Sequence, residues 1–299
     1  MAQLDHEEQL TAIIAAIEER LEYLLPTKSE HSQELVDAMR YATLGGGKRL
    51  RGTLVCATAS SLSGDYTRAL DAACALECLH AYSLVHDDLP VMDDAALRRG
   101  KPSCHAVFGP ALATLVGDAL QPLAFSLVLD CPELTSNQRL AISQTLAHAS
   151  GWRGMVGGQA WDIETSQADA LTIESLRRLH AAKTGEFFVA AIEIGRLIAR
   201  PDGDTGEREV LERFSRKLGE AFQVVDDLLD TTESTAQLGK PSGQDARHDK
   251  PTFPVLLGSA EATTYAQTLL HNAFSDLEDI ELGNSLLAAV AERCVNRLR

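Results

Sequence analysis

Apolar residues recur along this chain at intervals of three and four. Leu10, Ile13, Ile14, Ile17, Leu21 and Leu24 mark one such face, Leu171, Leu176 and Leu179 another, and Phe187, Val189, Ile192 and Ile194 a third. This is the period of an amphipathic helix, and no stretch sustains the two-residue alternation of a half-buried strand. Alanine is abundant between these positions, which favours helix and lets helices pack closely. The breaks are short and polar: Pro26 to Ser29, Gly45 to Gly47, Pro132 to Ser136 and Pro201 to Gly206, with one longer polar loop from about Thr231 to Pro251. No solenoid-type repeat and no low-complexity linker divides the pattern, which predicts an all-α fold with a single domain over residues 1–299.

Composition narrows the function. With 299 residues, 45% of them hydrophobic, the chain can bury a sizeable core, although composition alone would allow one large domain or two small ones. The formal net charge of -16, from 27 Lys+Arg against 43 Asp+Glu, argues against a nucleic-acid partner, because phosphate-backbone affinity depends on a basic surface. The first residues are acidic where a secretory signal would be basic, and no uninterrupted apolar run approaches the roughly 18 residues of a spanning helix. The expectation is a cytoplasmic protein without membrane insertion. Six cysteines (Cys56, Cys74, Cys78, Cys104, Cys131, Cys294) show no CxxC pair and sit mostly among alanines and leucines, which reads as reduced, buried packing residues. Trp152 and Trp161 read as core, and His86 and His105 as structural hydrogen-bonders.

Against this background two groups of carboxylates stand out. His80 to His86 reads as an apolar helix that ends in Asp87, Asp88, Asp93 and Asp94 around Pro90, and Ala221 to Val225 leads into Asp226, Asp227 and Asp230. Asp226 and Asp230, four apart, project from one helix face. Pro90 disrupts regular helix and lets Asp93 swing back towards Asp87. Like charges packed beside apolar surface repel and lose hydration, so cations must compensate them, and hard oxygen ligands of this kind suit magnesium completed by substrate phosphates. Two solvated acidic helix ends are the plainer reading of either group taken alone.

The basic residues gather in a few places: Lys48-Arg49-Leu50-Arg51 after three glycines, Arg98-Arg99-Gly100-Lys101 beyond the first acid group, Lys183, and Lys240 and Lys250 beyond the second. Arginine forks bind phosphate oxygens in pairs, and metal-binding acids set beside phosphate-binding bases point to a diphosphate. The glycine stretch lacks Walker-loop spacing and is weak evidence by itself.

These segments, in this order, resemble the signature of trans-type isoprenyl diphosphate synthases. Gly46-Gly-Lys-Arg-Leu-Arg51 resembles the first basic motif of that family, and Asp87-Asp-Leu-Pro-Val-Met-Asp93 followed by Arg98-Arg99-Gly100 its first aspartate-rich motif. Gly158-Gln159, Lys183-Thr184, Phe222 to Asp230, Gly239-Lys240 and Lys250 to Pro254 resemble its later motifs, so the likeness runs from about Gly45 to Pro254. Departures are small: Gly52 stands where proline is usual, Asp249 replaces a common glycine and Phe253 a frequent tyrosine.

The resemblance implies a single large helical bundle around a central cavity, a homodimer, and magnesium as cofactor. Carried over position by position, Asp87, Asp88, Asp93 and Asp226, with Asp227 and Asp230 in support, hold the metal ions. Arg98, Lys183, Thr184, Gln223 and Lys240 contact the allylic diphosphate, with Lys250 and Gln159 as further contacts. Lys48, Arg51, His80 and Arg99 hold isopentenyl diphosphate. Asp87, Asp226, Lys183 and Lys240 carry the catalysis, in which the allylic diphosphate ionises and the double bond of isopentenyl diphosphate attacks the cation. Tyr82, five residues before Asp87, with the small Ser83 beside it, resembles the cavity floor of bacterial farnesyl diphosphate synthases; ordinary core packing is the plainer reading of Tyr82. A geranyl or geranylgeranyl synthase shares every catalytic residue and differs in cavity depth. A class I terpene cyclase would carry an Asn/Ser/Glu-type second metal motif, and a non-catalytic subunit would show eroded motifs; here the second motif is aspartate-rich and the matched residues are intact.

Overall fold

The computed structural model describes residues 5–165, 171–232 and 252–295. In chain order the helices are α1 (His6–Leu24), α2 (Gln33–Leu44), α3 (Leu50–Ser63), α4 (Leu70–Asp87), α5 (Cys104–Phe108), α6 (Pro110–Leu129), α7 (Ser136–Ser150), α8 (Met155–Thr165), α9 (Ile173–His180), α10 (Glu186–Ala199), α11 (Thr205–Thr232), α12 (Phe253–Leu257), α13 (Ser259–Glu278) and α14 (Leu286–Val295). The all-α expectation holds.

The apolar periods fold as predicted. Leu10, Ile13, Ile17 and Leu21 are fully buried on α1, each such side chain contributing roughly 1.5–3 kcal/mol. On α3 and α4 burial extends around most of the helix surface, from Gly52 to Ala59 and from Asp71 to Leu79, and helices apolar on every side belong in the middle of a bundle. α3 packs on α10, α4 on α6, and α11 on α13, around one continuous core. Helices begin at the polar breaks: Thr135 and Gln138 form a reciprocal capping box at the start of α7, and α11 begins at Thr205, inside the Pro201 to Gly206 break. α11 runs to Thr232, slightly into the segment expected to be loop.

Three observations depart from expectation. A two-residue antiparallel hairpin, β1 (Leu97–Arg98) with β2 (Lys101–Pro102), turns through Arg99 and Gly100, both with positive φ, as a tight hairpin turn demands. Trp152 is not core: it is 76% exposed in a glycine-flanked turn between α7 and α8, with Arg153 stacked 4.7 Å over its ring. α6, although interrupted by Asp118, is long and apolar enough to cross a bilayer by length and composition, and only 39% of its most apolar window is buried. All six cysteines are free and buried, and His86 and His105 each bond a backbone carbonyl, of Thr114 and Ala95 respectively.

Candidate active site

The first acid group forms where α4 stops. Pro90 cannot continue the helix, and the chain doubles back so that the Asp93 amide donates to the Asp87 carbonyl at 3.0 Å. Asp94 takes a left-handed conformation to complete the reversal. Asp87 thus sits at the negative end of the α4 dipole beside Asp93 and Asp88. Burial, together with those two neighbours, pushes its carboxyl up to about 6, against the opposing pull of Lys183 and Arg98.

The six acids divide into two kinds. Asp88, only 2% exposed, is engaged by Arg98, whose Nε donates to both carboxylate oxygens at 3.1 Å. Asp227 is likewise engaged inside the protein: Gln223 Nε2 donates to Oδ1 at 2.9 Å and the Phe253 amide to Oδ2 at 3.1 Å, which ties α11 to the start of α12. Asp87, Asp93 and Asp226 are only partly buried, and Asp230 is buried. Among the described residues no three acids, histidines or cysteines close into a protein-only metal cage.

Opposite lies a wide turn of π-helix, Ala181–Gly185, which joins α9 to α10 and carries Lys183 and Thr184. Thr184 Oγ1 donates to Gln223 Oε1 at 3.1 Å, so this turn, α11 and Asp227 form one chain of hydrogen bonds. Lys183 Nζ reaches Asp162 of α8 at 2.7 Å. α8 approaches so closely because Gly158 has no side chain: a Cβ there would lie 2.4 Å from the Lys183 nitrogen. Gln159 is buried, and its Oε1 finds no hydrogen-bond partner among the described residues. Lys183, Thr184, Gln223, Asp227 and Asp162 line a pocket of about 520 Å³ of empty space.

The second basic set is assembled at the start of α3. Arg51 Nη1 lies 3.2 Å from His80 Nε2, and its guanidinium stacks 5.7 and 5.8 Å over the Phe187 and Phe188 rings. Burial, with Arg51 and Arg99 nearby, holds His80 well below its usual range; the ring is therefore neutral and Nε2 accepts from Arg51. Burial also pulls Arg51 down to about 10, with Arg99 adding to the effect and Glu77 and Asp226 opposing it. The influence of Asp226 on Arg51, and of Lys183 on Asp87, places the basic and acidic elements within electrostatic reach across the site. Arg99 lies across Gly47, where a Cβ would meet its Cζ at 2.8 Å, and its Nη1 donates to the Gly46 carbonyl. Lys48 is exposed beside it.

Tyr82 is 4% exposed and meets the His86 ring edge-on at 5.1 Å, on the side of α4 that faces α6. The Ser83 hydroxyl donates to the His80 carbonyl of its own helix. Lys240 and Lys250 lie outside the described residues. Asp162 and Glu77 belong to the site's framework and were missed in the sequence, and Arg49, named there within the basic run, was given no role of its own. Asp162 could have been found from its spacing, three after Gln159 on one helix face, and Glu77 as the acid set in the apolar run Ala72 to Leu79, one turn before His80.

Comparison with known proteins agrees with this geometry. A family model described as polyprenyl synthetase matches residues 32–289. The chain is 42% identical to the farnesyl diphosphate synthase of Escherichia coli, over 98% of this chain and 99% of that protein, and 40% identical to that of Haemophilus influenzae, over 97% and 98%. Among solved structures it resembles a geranyltransferase from Helicobacter pylori complexed with magnesium and isoprenyl diphosphate, at a TM-score of 0.88 and 32% identity, covering 100% of this chain and 99% of the other.

Proposed function

The chain belongs to the polyprenyl synthetase family, and on that premise we infer that it is a prenyltransferase that condenses isopentenyl diphosphate with dimethylallyl and then geranyl diphosphate, giving farnesyl diphosphate and pyrophosphate. The observation that carries this reading is the meeting of two unlike half-sites: a crowded carboxylate group around Asp87, facing Lys183, beside an arginine cradle formed by Arg51, His80 and Arg99.

The donor set fits magnesium. Among the described residues carboxylates alone are offered, no three of them close into a complete cage, and burial, the largest cause of the raised Asp87, disfavours a charge that a bound cation would stabilise. In this reading Asp87, Asp93, Asp226 and Asp230 hold the metal, whereas Asp88 and Asp227 orient Arg98 and Gln223. Magnesium, when bound, would neutralise the allylic diphosphate and so help it to leave. Lys183, Thr184, Gln223 and Arg98 grip the same diphosphate, with Gln159 as a further contact. Breaking the C1–O bond leaves an allylic cation. Arg51, Lys48 and Arg99 hold isopentenyl diphosphate so that its double bond attacks that carbon, and the new bond is completed when a proton is lost to the released pyrophosphate. Neutral His80 supports Arg51 without adding charge. The apolar walls exclude water that would capture the cation. Tyr82 ends the cavity for the growing tail and thereby sets the length of the product.

The homodimer reading draws support from α6, whose exposed Leu115, Pro122 and Leu129 recur every seven residues along one side. Leu115→Glu is expected to convert a dimer into a monomer in sedimentation experiments. Six free, buried cysteines suit a reducing, cytoplasmic compartment.

The decisive test is incubation of the purified protein with magnesium, isopentenyl diphosphate and either allylic starter, followed by identification of the dephosphorylated alcohols. Farnesol as the main product, lost on adding a chelator, is the expected result. A longer alcohol would keep the reaction and overturn the role of Tyr82; a cyclic hydrocarbon would overturn the reaction itself.

A further inference from the structure

Between Lys48 and Arg51 stands an arginine that points the other way. Arg49 is 2% exposed, and its guanidinium bonds three separate helices. Nε and Nη2 donate to the Glu18 carboxylate of α1 at 2.7 and 3.1 Å, Nη2 also donates to the Thr43 carbonyl of α2 at 2.8 Å, and Nη1 lies 3.6 Å from Glu77 Oε2 of α4. Its backbone is left-handed, with φ 47 and ψ 34, a conformation that a residue other than glycine keeps only when its surroundings impose it. Immediately after it α3 starts: the Arg49 carbonyl accepts from the Thr53 amide at 2.8 Å and from Thr53 Oγ1 at 2.7 Å. Glu77, 2% exposed, closes the circuit by accepting from the Gly52 amide at 2.8 Å.

This residue is therefore not a ligand for anything in the cavity. It fixes the direction in which the chain leaves the glycine turn and enters α3, and that direction decides where Lys48 and Arg51 stand. We propose that Arg49 is a positioning residue for the isopentenyl diphosphate half of the site, its tripod on Glu18, Thr43 and Glu77 holding the left-handed turn that aims Lys48 and Arg51 at the diphosphate. The inference builds on the proposed function, in which Lys48 and Arg51 bind that substrate.

The geometry makes the effect one-sided. Lys183, Thr184, Gln223 and Asp87 lie on α4, α11 and the π turn, none of which Arg49 bonds except α4 through Glu77, well before its acidic end. Loss of the tripod should misplace Lys48 and Arg51, leave Glu77 as an uncompensated acid beneath them, and spare the allylic half.

The test is steady-state kinetics in which each substrate is varied separately, on Arg49→Gln, Arg49→Gly and Glu18→Gln, with Arg51→Gln as control. For Arg49→Gln the KM for isopentenyl diphosphate should rise by about tenfold to a hundredfold, as misplacement of binding groups by around 1 Å can cost, with the KM for geranyl diphosphate unchanged. Arg49→Gly accepts the left-handed backbone but lacks the tripod, and should show the same split; wild-type kinetics in this variant would mean that the backbone conformation alone suffices, and would overturn the proposal. Glu18→Gln removes one leg from the partly exposed side, where folding is least at risk, and should show a smaller rise of the same kind. Equal rises for both substrates, or no rise in Glu18→Gln and Arg49→Gln alike, would also overturn it. If Arg51→Gln leaves isopentenyl diphosphate binding unchanged while the Arg49 variants behave as stated, the assignment of Arg51 fails and the positioning role acts through Lys48.

Discussion

The two halves of the site treat their charges in opposite ways. The basic half is closed upon itself: Arg49 is tied to Glu18, Thr43 and Glu77, Arg51 rests on His80 and two phenylalanine rings, and Arg99 lies along the glycine turn. Its acids are counter-ions, Glu77 buried and Glu18 partly exposed, and its arginines are already anchored within the protein. In the acidic half the carboxylates face one another, and Asp87 is driven up to about 6 by burial and by Asp93 and Asp88. A preassembled cradle binds an anion without reorganising. A buried carboxylate whose charged form is disfavoured by lost hydration gains most from a cation, which couples metal binding to the arrival of the charged substrate.

If this contrast is right, charge removal should have opposite effects on stability in the two halves. Glu77→Leu in the basic half leaves Arg49 and Arg51 without their shared counter-charge and should cost about 3–5 kcal/mol, read as a lower midpoint in urea. Asp87→Asn in the acidic half should lower kcat by about 10²–10³-fold and yet leave the metal-free protein more stable, by around 1 kcal/mol once solvent screening is allowed for. A destabilised, metal-free Asp87→Asn would break the comparison. Gly158→Ala probes the seam that holds Lys183 in place; its Cβ has no room against the Lys183 backbone, and overpacking of this kind costs about 1–3 kcal/mol, with activity falling alongside.

The smallest effect is the pH dependence of cation binding. Asp87 must be ionised to bind a cation, so magnesium affinity should be flat above about pH 6 on this group's account and fall towards tenfold per pH unit below it. Stability of the metal-free protein runs the other way. The folded pKa lies above the ordinary 3.8, so the folded state holds the proton more tightly, and the penalty for burying the charge is relieved as pH falls from about 6 to about 4. Magnesium titrations and thermal melts over this range check both signs.

Much of this was legible in the chain. The helical period of Leu10 to Leu21 and of Phe187 to Ile194 follows from local geometry, which repeats along any helix whatever it packs against. Pro90 announced the reversal that joins Asp93 to Asp87, because a proline ring cannot continue a helix. Trp152 was misread because burial of an aromatic depends on which side of a turn meets the bundle, and α6 looked unremarkable because Asp118 interrupts its apolar run.

The sequence alone determined which chemistry the chain can hold, since carboxylates, arginines and the π-turn lysine are present whatever their neighbours. Tertiary structure alone decided their division of labour. Arg49 and Arg51 are two residues apart in a single basic run, yet one is buried among three helices as a tether while the other lies against His80. Asp87 and Asp88 are adjacent, yet Asp88 is paired with Arg98 and Asp87 is left raised and crowded. Charge is a property of the residue, but burial and the distance to a partner are properties of the fold, and these two quantities separate a ligand from a strut.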